Sequence, residues 1–444
     1  MSLTPLHSLH NPAILFAGQG SRWQEAISLA SQAPATAQKL RELLSEVRAA
    51  TGPAARLIAS TCPGAIERLE ELISAGAEGT NGAEGASAKP ADIDVYPAVS
   101  IPGIVLGQIA AIDHLRSLGL DPKEAIGHSQ GILGVAALED QKQALTIAVL
   151  MGTAASAQEG SDSRSHMLSI RGVDRPLIEQ ALRGDATIAV INGRRHFVIS
   201  GAPESLESTR TALQGAVDAF NDSLENRTIG GDEILAVFDE LPVALPFHHP
   251  SLRPAAARTA QLAQECGVDS ATAQRLAEAI LVEPHDWPAA VASLEADSLV
   301  FLDAGLAKLT APLVNGTGKV SVLAATPQQR DGLATPGNTL PKAVNYADFA
   351  PRLVRLPDGQ TYTQTRFSDL TGLSPIMLGG MTPTSADGEI VAAAANAGYW
   401  TEMAGGGMYS DEVFNHHRQV MESLLKPGRT AQFNTMFFDR FLWN

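Results

Sequence analysis

Gly127-His128-Ser129-Gln130-Gly131 is framed by the short apolar run Ala125-Ile126 and by the apolar stretch from Ile132 to Leu138. A strand that turns sharply into a helix at a serine, with glycine two residues to either side, lets neighbouring backbone pack tightly and exposes the hydroxyl above a sheet. The N–H of Gln130 then stands at the start of a helix, where an unpaired amide and the helix dipole stabilise a developing oxyanion. Ser129 is therefore the candidate nucleophile. It needs a base, and histidine is the side chain best able to take and return a proton near neutral pH. The loop Leu245-Pro246-Phe247-His248-His249-Pro250-Ser251-Leu252 offers two histidines.

Positioning these groups requires a sheet. Ala13 to Ala17 reads as a buried strand running into the turn Gly18-Gln19-Gly20-Ser21, and Ile101 to Leu115 as an apolar helix leading to the serine strand. The alternation predicts an α/β core. Met167 to Ile170, Thr187 to Asn192 and His196 to Ile199 read as strands, with helices from Pro176 to Leu182 and from Pro203 to Leu213. That β-α-β-β-α order predicts a ferredoxin-like subdomain, about residues 165–243, inserted after the nucleophile. Residues 75–92, rich in Gly, Ala and Glu, read as a solvated loop.

Composition narrows the function. A chain of 444 residues is long enough for two or three domains, and its net charge of −16 argues against nucleic acid or an anionic membrane as the main partner. Cys62 and Cys266 are the only cysteines, neither with a metal-ligand partner nearby; this favours a reducing, cytoplasmic setting without disulfides or metal. Residues 1–9 lack the pattern of a signal peptide, and no run of 18 apolar residues predicts a membrane span.

Gly18-Gln19-Gly20-Ser21, the serine pentapeptide, Asn192-Gly193, Pro246-Phe247-His248 and Phe301-Leu302-Asp303-Ala304-Gly305 occur in the order and approximate spacing of acyl-CoA:acyl-carrier-protein transacylases. The chain resembles that family over roughly residues 10–325. Glutamine after the serine is most similar to the transacylase domains of type I fatty acid synthases. The resemblance implies an α/β-hydrolase-like core, Ser129 as nucleophile, His248 as base, and the backbone N–H groups of Gln19 and Gln130 as oxyanion hole. It implies a main-chain carbonyl, Ile280 or a close neighbour, behind the histidine, and no cofactor for the transfer. Malonyl-selective members carry an arginine on the helix after the elbow, where its planar fork holds the free carboxylate. Here the matching stretch, Ala144 to Ala155, has no basic residue. Malonyl would bury an unpaired carboxylate. The expected activity is therefore acetyl transfer from acetyl-CoA to the phosphopantetheine thiol of an acyl carrier protein, with Met151, Gly152 and Asn192 about the acyl group.

After a linker at residues 326–366, Pro375 to Leu378 reads as a buried strand entering the turn Gly379-Gly380-Met381-Thr382. A helix from Ala386 to Ala397, a strand from Tyr399 to Ala404, the glycines 405–407, a second helix and a strand from Gln432 to Met436 follow. Repeated βα units predict part of a TIM barrel. Residues 367–444 resemble the start of flavin-dependent enoyl reductases and nitronate monooxygenases. In a complete barrel that resemblance implies FMN, with NADPH or NADH as reductant, and places Gly379, Gly380, Met381, Thr382 and Asn434 at the flavin. About three of eight units are recognisable, so the chain reads as part of a larger synthase that assembles as a large homo-oligomer, and no reductase activity is expected of it alone.

The alternatives are a malonyl- or palmitoyl-type transacylase, a serine thioesterase, and a non-catalytic scaffold that docks carrier proteins. Gly-X-Ser-X-Gly also marks hydrolases, whose usual order is Ser, then Asp or Glu, then His. Here no acid carries a motif that marks it as a third member. His249 reads as a satisfied neighbour, His128 as packing beneath the elbow, Asn192 as a structural hydrogen-bonding group as readily as a substrate contact, and Arg194-Arg195 as a solvated hairpin tip or a contact for an acidic carrier protein.

Overall fold

The computed structural model describes residue 9 and residues 11–78, 92–120, 122–158, 164–223, 234–334, 350–355, 359, 361–381, 384–405, 408 and 410–434. The chain divides into two compact units, Met1–Ala343 and Val344–Asn444.

The first unit runs through β1 (Pro12–Phe16) and β2 (Glu124–Gly127), then β3 (Met167–Arg171), β4 (Thr187–Gly193), β5 (His196–Ser200), β6 (Val237–Glu240) and β7 (His285–Asp286), and returns with β8 (Ser298–Phe301) and β9 (Val320–Leu323). Strands β2-β1-β8-β9 form one parallel sheet. Side chains alternate across a strand, so β1 feeds two cores at once: Ala13 and Leu15 pack with Trp287, Leu299 and Phe301, while Ile14 and Phe16 join the larger cluster on the other face. A parallel sheet covered on both faces reads as an unbroken apolar run. The helix Pro97–Ser117 is longer than the sequence predicts and is long and apolar enough to cross a membrane, yet 89% of its apolar window is buried within the protein. Its uniform apolarity is that of a core helix wrapped on all sides.

The second sheet has the order β6-β3-β5-β4-β7 and is antiparallel except between β4 and β7. Helices Arg175–Ala181 and Pro203–Asp222 follow β3 and β5 and share one core with Leu168, Ile170, Phe197 and Ile199. Met167, Val190 and Val198, on the other face, join the large cluster of the first sheet. Two strands were not read from the sequence. β6 is largely exposed, and β7, only two residues long, offers no periodicity to detect.

The expected linker is not irregular throughout. Helix Pro327–Ala334 belongs to the first unit, where the Arg330 guanidinium donates to the carbonyls of Ala324 (2.9 Å) and Ala325 (3.2 Å). In the second unit β10 (Arg352–Arg355) pairs antiparallel with β11 (Thr361–Gln364). Helix Arg366–Thr371 follows, started by a capping box of Thr365 and Ser368 and ended by left-handed Gly372. Parallel strands β12 (Ser374–Leu378), β13 (Tyr399–Ala404) and β14 (Gln432–Asn434) alternate with helices Gly388–Asn396 and Asp411–Leu424. Thr382 and two glycines of the 405–407 triplet lie outside the described residues.

Candidate active site

Ser129 stands at the turn that follows β2, with φ = +53°. The two glycines of the pentapeptide are required by contact. A Cβ on Gly127 would lie 2.1 Å from the carbonyl carbon of Gly131, and one on Gly131 would lie 2.2 Å from the carbonyl oxygen of Phe16. Any side chain there would push the turn off β1. His248, 119 residues later, also has a positive φ, +58°. Both residues hold backbone conformations unfavourable to non-glycine residues, of the kind found where surrounding structure fixes a functional side chain.

The Ser129 Oγ lies 2.8 Å from His248 Nε2, and His248 Nδ1 lies 2.7 Å from the carbonyl oxygen of Glu283. A carbonyl only accepts, so Nδ1 carries the proton and Nε2 presents a lone pair to the serine hydroxyl. Both side chains are buried. Burial pushes the His248 imidazole down to about 4; the Glu283 carbonyl opposes the shift and His128 adds to it. His248 is thus neutral and able to accept a proton at pH 7.

The orienting carbonyl belongs to Glu283, which corrects the expected Ile280. Ile280 is buried within a π-helical turn, Glu278–Val282, while Glu283 has left the helix at φ = −80° and ψ = 139°. Pro284 supplies the reason: the residue before proline is driven out of the α region, which frees its carbonyl from the helix ladder. That signal was legible in Glu283-Pro284. The carbonyl of Leu281 accepts instead from the backbone N–H of His249, at 2.9 Å.

Gly18, the neighbour of Gln19, lies against the elbow at Gln130. A Cβ on Gly18 would lie 2.9 Å from the Gln130 nitrogen and 3.1 Å from Ser129 Cβ, so the turn after β1 backs directly onto the elbow. Gln130 is the second residue of the turn opening the helix, where backbone donors have no helical acceptor. Its side-chain amide is buried with neither Oε1 nor Nε2 hydrogen-bonded, and Gln19 Oε1 and Gln108 Oε1 are buried without partners too. Gln108, which sequence reading missed, donates through Nε2 to the carbonyl of Ala17 at 2.7 Å and so holds the end of β1.

Asn192 is turned toward protein: its Oδ1 accepts from His128 Nε2 at 2.7 Å and fixes that ring beneath the elbow. His128 is half-buried; the desolvation pushes its imidazole down, and it meets Trp287 edge-on at 5.3 Å. His249 is satisfied by Ser251 Oγ and the Asp185 carbonyl, each at 2.8 Å. Arg195 makes two bonds to Asp174 at the exposed hairpin tip.

Met151 and Gly152 do not frame an open space. Met151 is fully buried in the core, and a Cβ on Gly152 would lie 2.4 Å from the carbonyl oxygen of Pro97. Close approach of helix Gln141–Ser156 to helix Pro97–Ser117 explains the glycine, which corrects the expected acyl pocket at these two residues. A cavity of about 440 Å³ does flank the elbow, between Gly127, Ile132, Ile147, Leu276, Arg275 and His285.

In the second unit, the turn after β12 is tied to a carboxylate. Glu402 accepts from the Gly380 N–H (3.0 Å), Asn434 Nδ2 (3.2 Å) and Gln432 Nε2 (2.6 Å). These donors, the Gly380 amide foremost, hold its carboxyl below the usual range. Gly379 has open space at its Cβ position, Met381 is exposed, and Gly380 is crowded by Asn434.

The two sheets and the serine–histidine pair they support define a mixed α/β domain with the acyltransferase fold. An acyl-carrier-protein S-malonyltransferase from Burkholderia pseudomallei superposes with a TM-score of 0.52 at 20% identity, covering 73% of this chain and 100% of that one. Residues 166–240 match the family described as the fatty acid synthase central AT domain. The fatty acid synthase subunit beta of Aspergillus oryzae is 29% identical over 75% of this chain and 20% of its own length, and that of Saccharomyces cerevisiae 24% identical over 79% and 21%. These similarities support an acyl transferase domain of the type I fatty acid synthase kind. It spans about a fifth of the length of these fungal relatives.

Proposed function

We propose that the first unit is an acetyl-CoA:acyl-carrier-protein transacylase that loads the primer for fatty acid synthesis. The observation that carries this reading is the buried Ser129–His248 pair at 2.8 Å, backed by the Glu283 carbonyl. His248 Nε2 takes the hydroxyl proton as Ser129 Oγ attacks the thioester carbonyl. The oxyanion points at the amides of Gln19 and Gln130, each donor worth about 10²- to 10³-fold in rate. Collapse expels the coenzyme A thiolate, which takes the proton from His248 and leaves acetyl-serine. In the second half, His248 takes the proton of the carrier's phosphopantetheine thiol, the thiolate attacks the acyl-serine, and the proton returns to Ser129 Oγ. The antiparallel sheet, read as a ferredoxin-like subdomain on an α/β-hydrolase-like core, contributes Asn192 to the support beneath the elbow.

The acetyl preference rests on helix Gln141–Ser156, which is buried without a break from Ala144 to Ser156 and carries no arginine. Malonyl would have no guanidinium there, and each ~1.4 kcal/mol of lost stabilisation is tenfold. Within the described residues no carboxylate bonds His248, which speaks against a serine thioesterase with an acidic third member. Intact mass after brief incubation with acetyl-CoA and, separately, malonyl-CoA tests the reading, with Ser129→Ala as control. One added acetyl group, absent in the variant and much weaker with malonyl, is the expected result; equal malonyl loading sinks the specificity, and no adduct sinks the activity.

The second unit reads as the opening βα units of a flavin-dependent reductase barrel. Its donors do not fit FMN as they stand, because Glu402 already takes the Gly380 amide and the Asn434 side chain. No reductase step is assigned to it. A cytoplasmic setting, other synthase domains and a large homo-oligomer are the partners this reading calls for.

A further inference from the structure

His285 is used by no step of the transfer. It lies on β7, two residues beyond the carbonyl that anchors His248, where β7 pairs with β4 at Val190. Its ring is stacked on His248, with centroids 6.0 Å apart and planes at 30°, and meets His128 edge-on at 5.2 Å. His285 Nε2 is buried with no hydrogen-bond partner. The polar atom is thus left idle while the ring lies within the separation at which aromatic pairs attract.

The bonds of His248 show what a stacked ring would add. Glu283 and Ser129 hold opposite edges of the imidazole, Nδ1 and Nε2, close to its plane. Two in-plane anchors fix where the nitrogens point and leave the ring free to rock about the line that joins them. A ring against its face removes that motion. We propose that His285 is a positioning residue that holds the plane of His248 in line with Ser129 Oγ, through its ring and not through a proton. Burial pushes His285 down to about 3, with His128 and His248 contributing, so it stays neutral when His248 becomes imidazolium during transfer.

The inference rests on the dyad reading above, so its test uses a probe that does not require an acyl-CoA. With a fluorophosphonate, Ser129 Oγ attacks phosphorus, His248 takes the hydroxyl proton and fluoride leaves. In the full chain, His285→Ala lowers the limiting rate of Ser129 labelling about three- to tenfold with half-saturation unchanged, and His285→Phe, which keeps a ring, restores it. Thermal melting of both variants guards against loss of fold, and the phenylalanine variant carries the test if alanine unfolds the domain. Wild-type labelling by His285→Ala overturns the proposal, as does a phenylalanine variant that folds but labels slowly. Acetyl loading read in parallel separates the two ideas: wild-type protein that labels but does not load acetyl sinks the transacylase reading and leaves the positioning result standing.

Discussion

Strands β1 and β12 are both five-residue apolar runs opening at or next to a proline, and both feed a glycine turn, yet they end in opposite states. Ala13, Ile14, Leu15 and Phe16 are at most 1% exposed, whereas Ile376 and Met377 are 67% and 44% exposed. The difference lies in what covers the faces. β1 sits between β2 and β8 with apolar clusters on both sides, while β12 has β13 on one edge and a small core around Val391, Met403 and Met421. Buried on both sides, the first sheet can hold a strained turn; the elbow keeps Ser129 at positive φ because its glycines interlock with β1. The turn after β12 is held by polar bonds, from the Gly380 N–H to the half-buried Glu402 carboxylate and from Ser385 Oγ to the Gly379 carbonyl.

The largest effects should fall on the dyad. Ser129→Ala removes acyl loading, and His248→Ala slows it by about 10³- to 10⁵-fold, read by intact mass over time. A His248→Ala enzyme that loads within tenfold of wild type would dismiss the histidine as base. Burial contrast comes next. Leu15→Ala should cost about 2–5 kcal/mol in denaturant melts, against under about 0.5 kcal/mol for Ile376→Ala. Equal costs would mean that the exposed strand is covered in solution.

The two turns can be compared directly. Gly131→Ala forces a Cβ against the Phe16 carbonyl and should cost about 1–3 kcal/mol along with loading, while Gly379→Ala, with open space, should be near neutral. Acid supplies the mildest contrast. His248 is buried and His128 and His285 are half-buried, and desolvation pushes all three imidazoles below the ordinary 6.5. The unfolded chain binds protons that the folded one does not, so stability is present above about pH 6.5 and declines as pH falls from there through about 4. Hydrogen exchange should therefore show the first unit loosening in this window before the second, where the Gly380 amide holds the Glu402 carboxyl below the usual carboxylate range. Simultaneous loosening of both units would point to another acid-sensitive group.

The chemistry legible in the sequence was the part built from local pattern. The elbow, the Pro-Phe-His loop, the strand-to-helix alternation and the lack of a basic residue between Ala144 and Ala155 are each contained in a short window. Tertiary structure decided the rest. Which carbonyl holds His248 could not follow from residue type, because every residue has one; the π-turn and Pro284 selected Glu283. Gly152 read as space and proved to be helix contact, since a missing side chain is filled by whatever backbone approaches it. Asn192 turned to His128, and His285 came to lie on His248, because β4 and β7 are adjacent strands of one sheet. The sequence by itself determined which groups could react and which elements could carry them. Their distances and supporting contacts were set only by packing between segments far apart in the chain, where burial and hydrogen bonding act on neighbours that no local window contains.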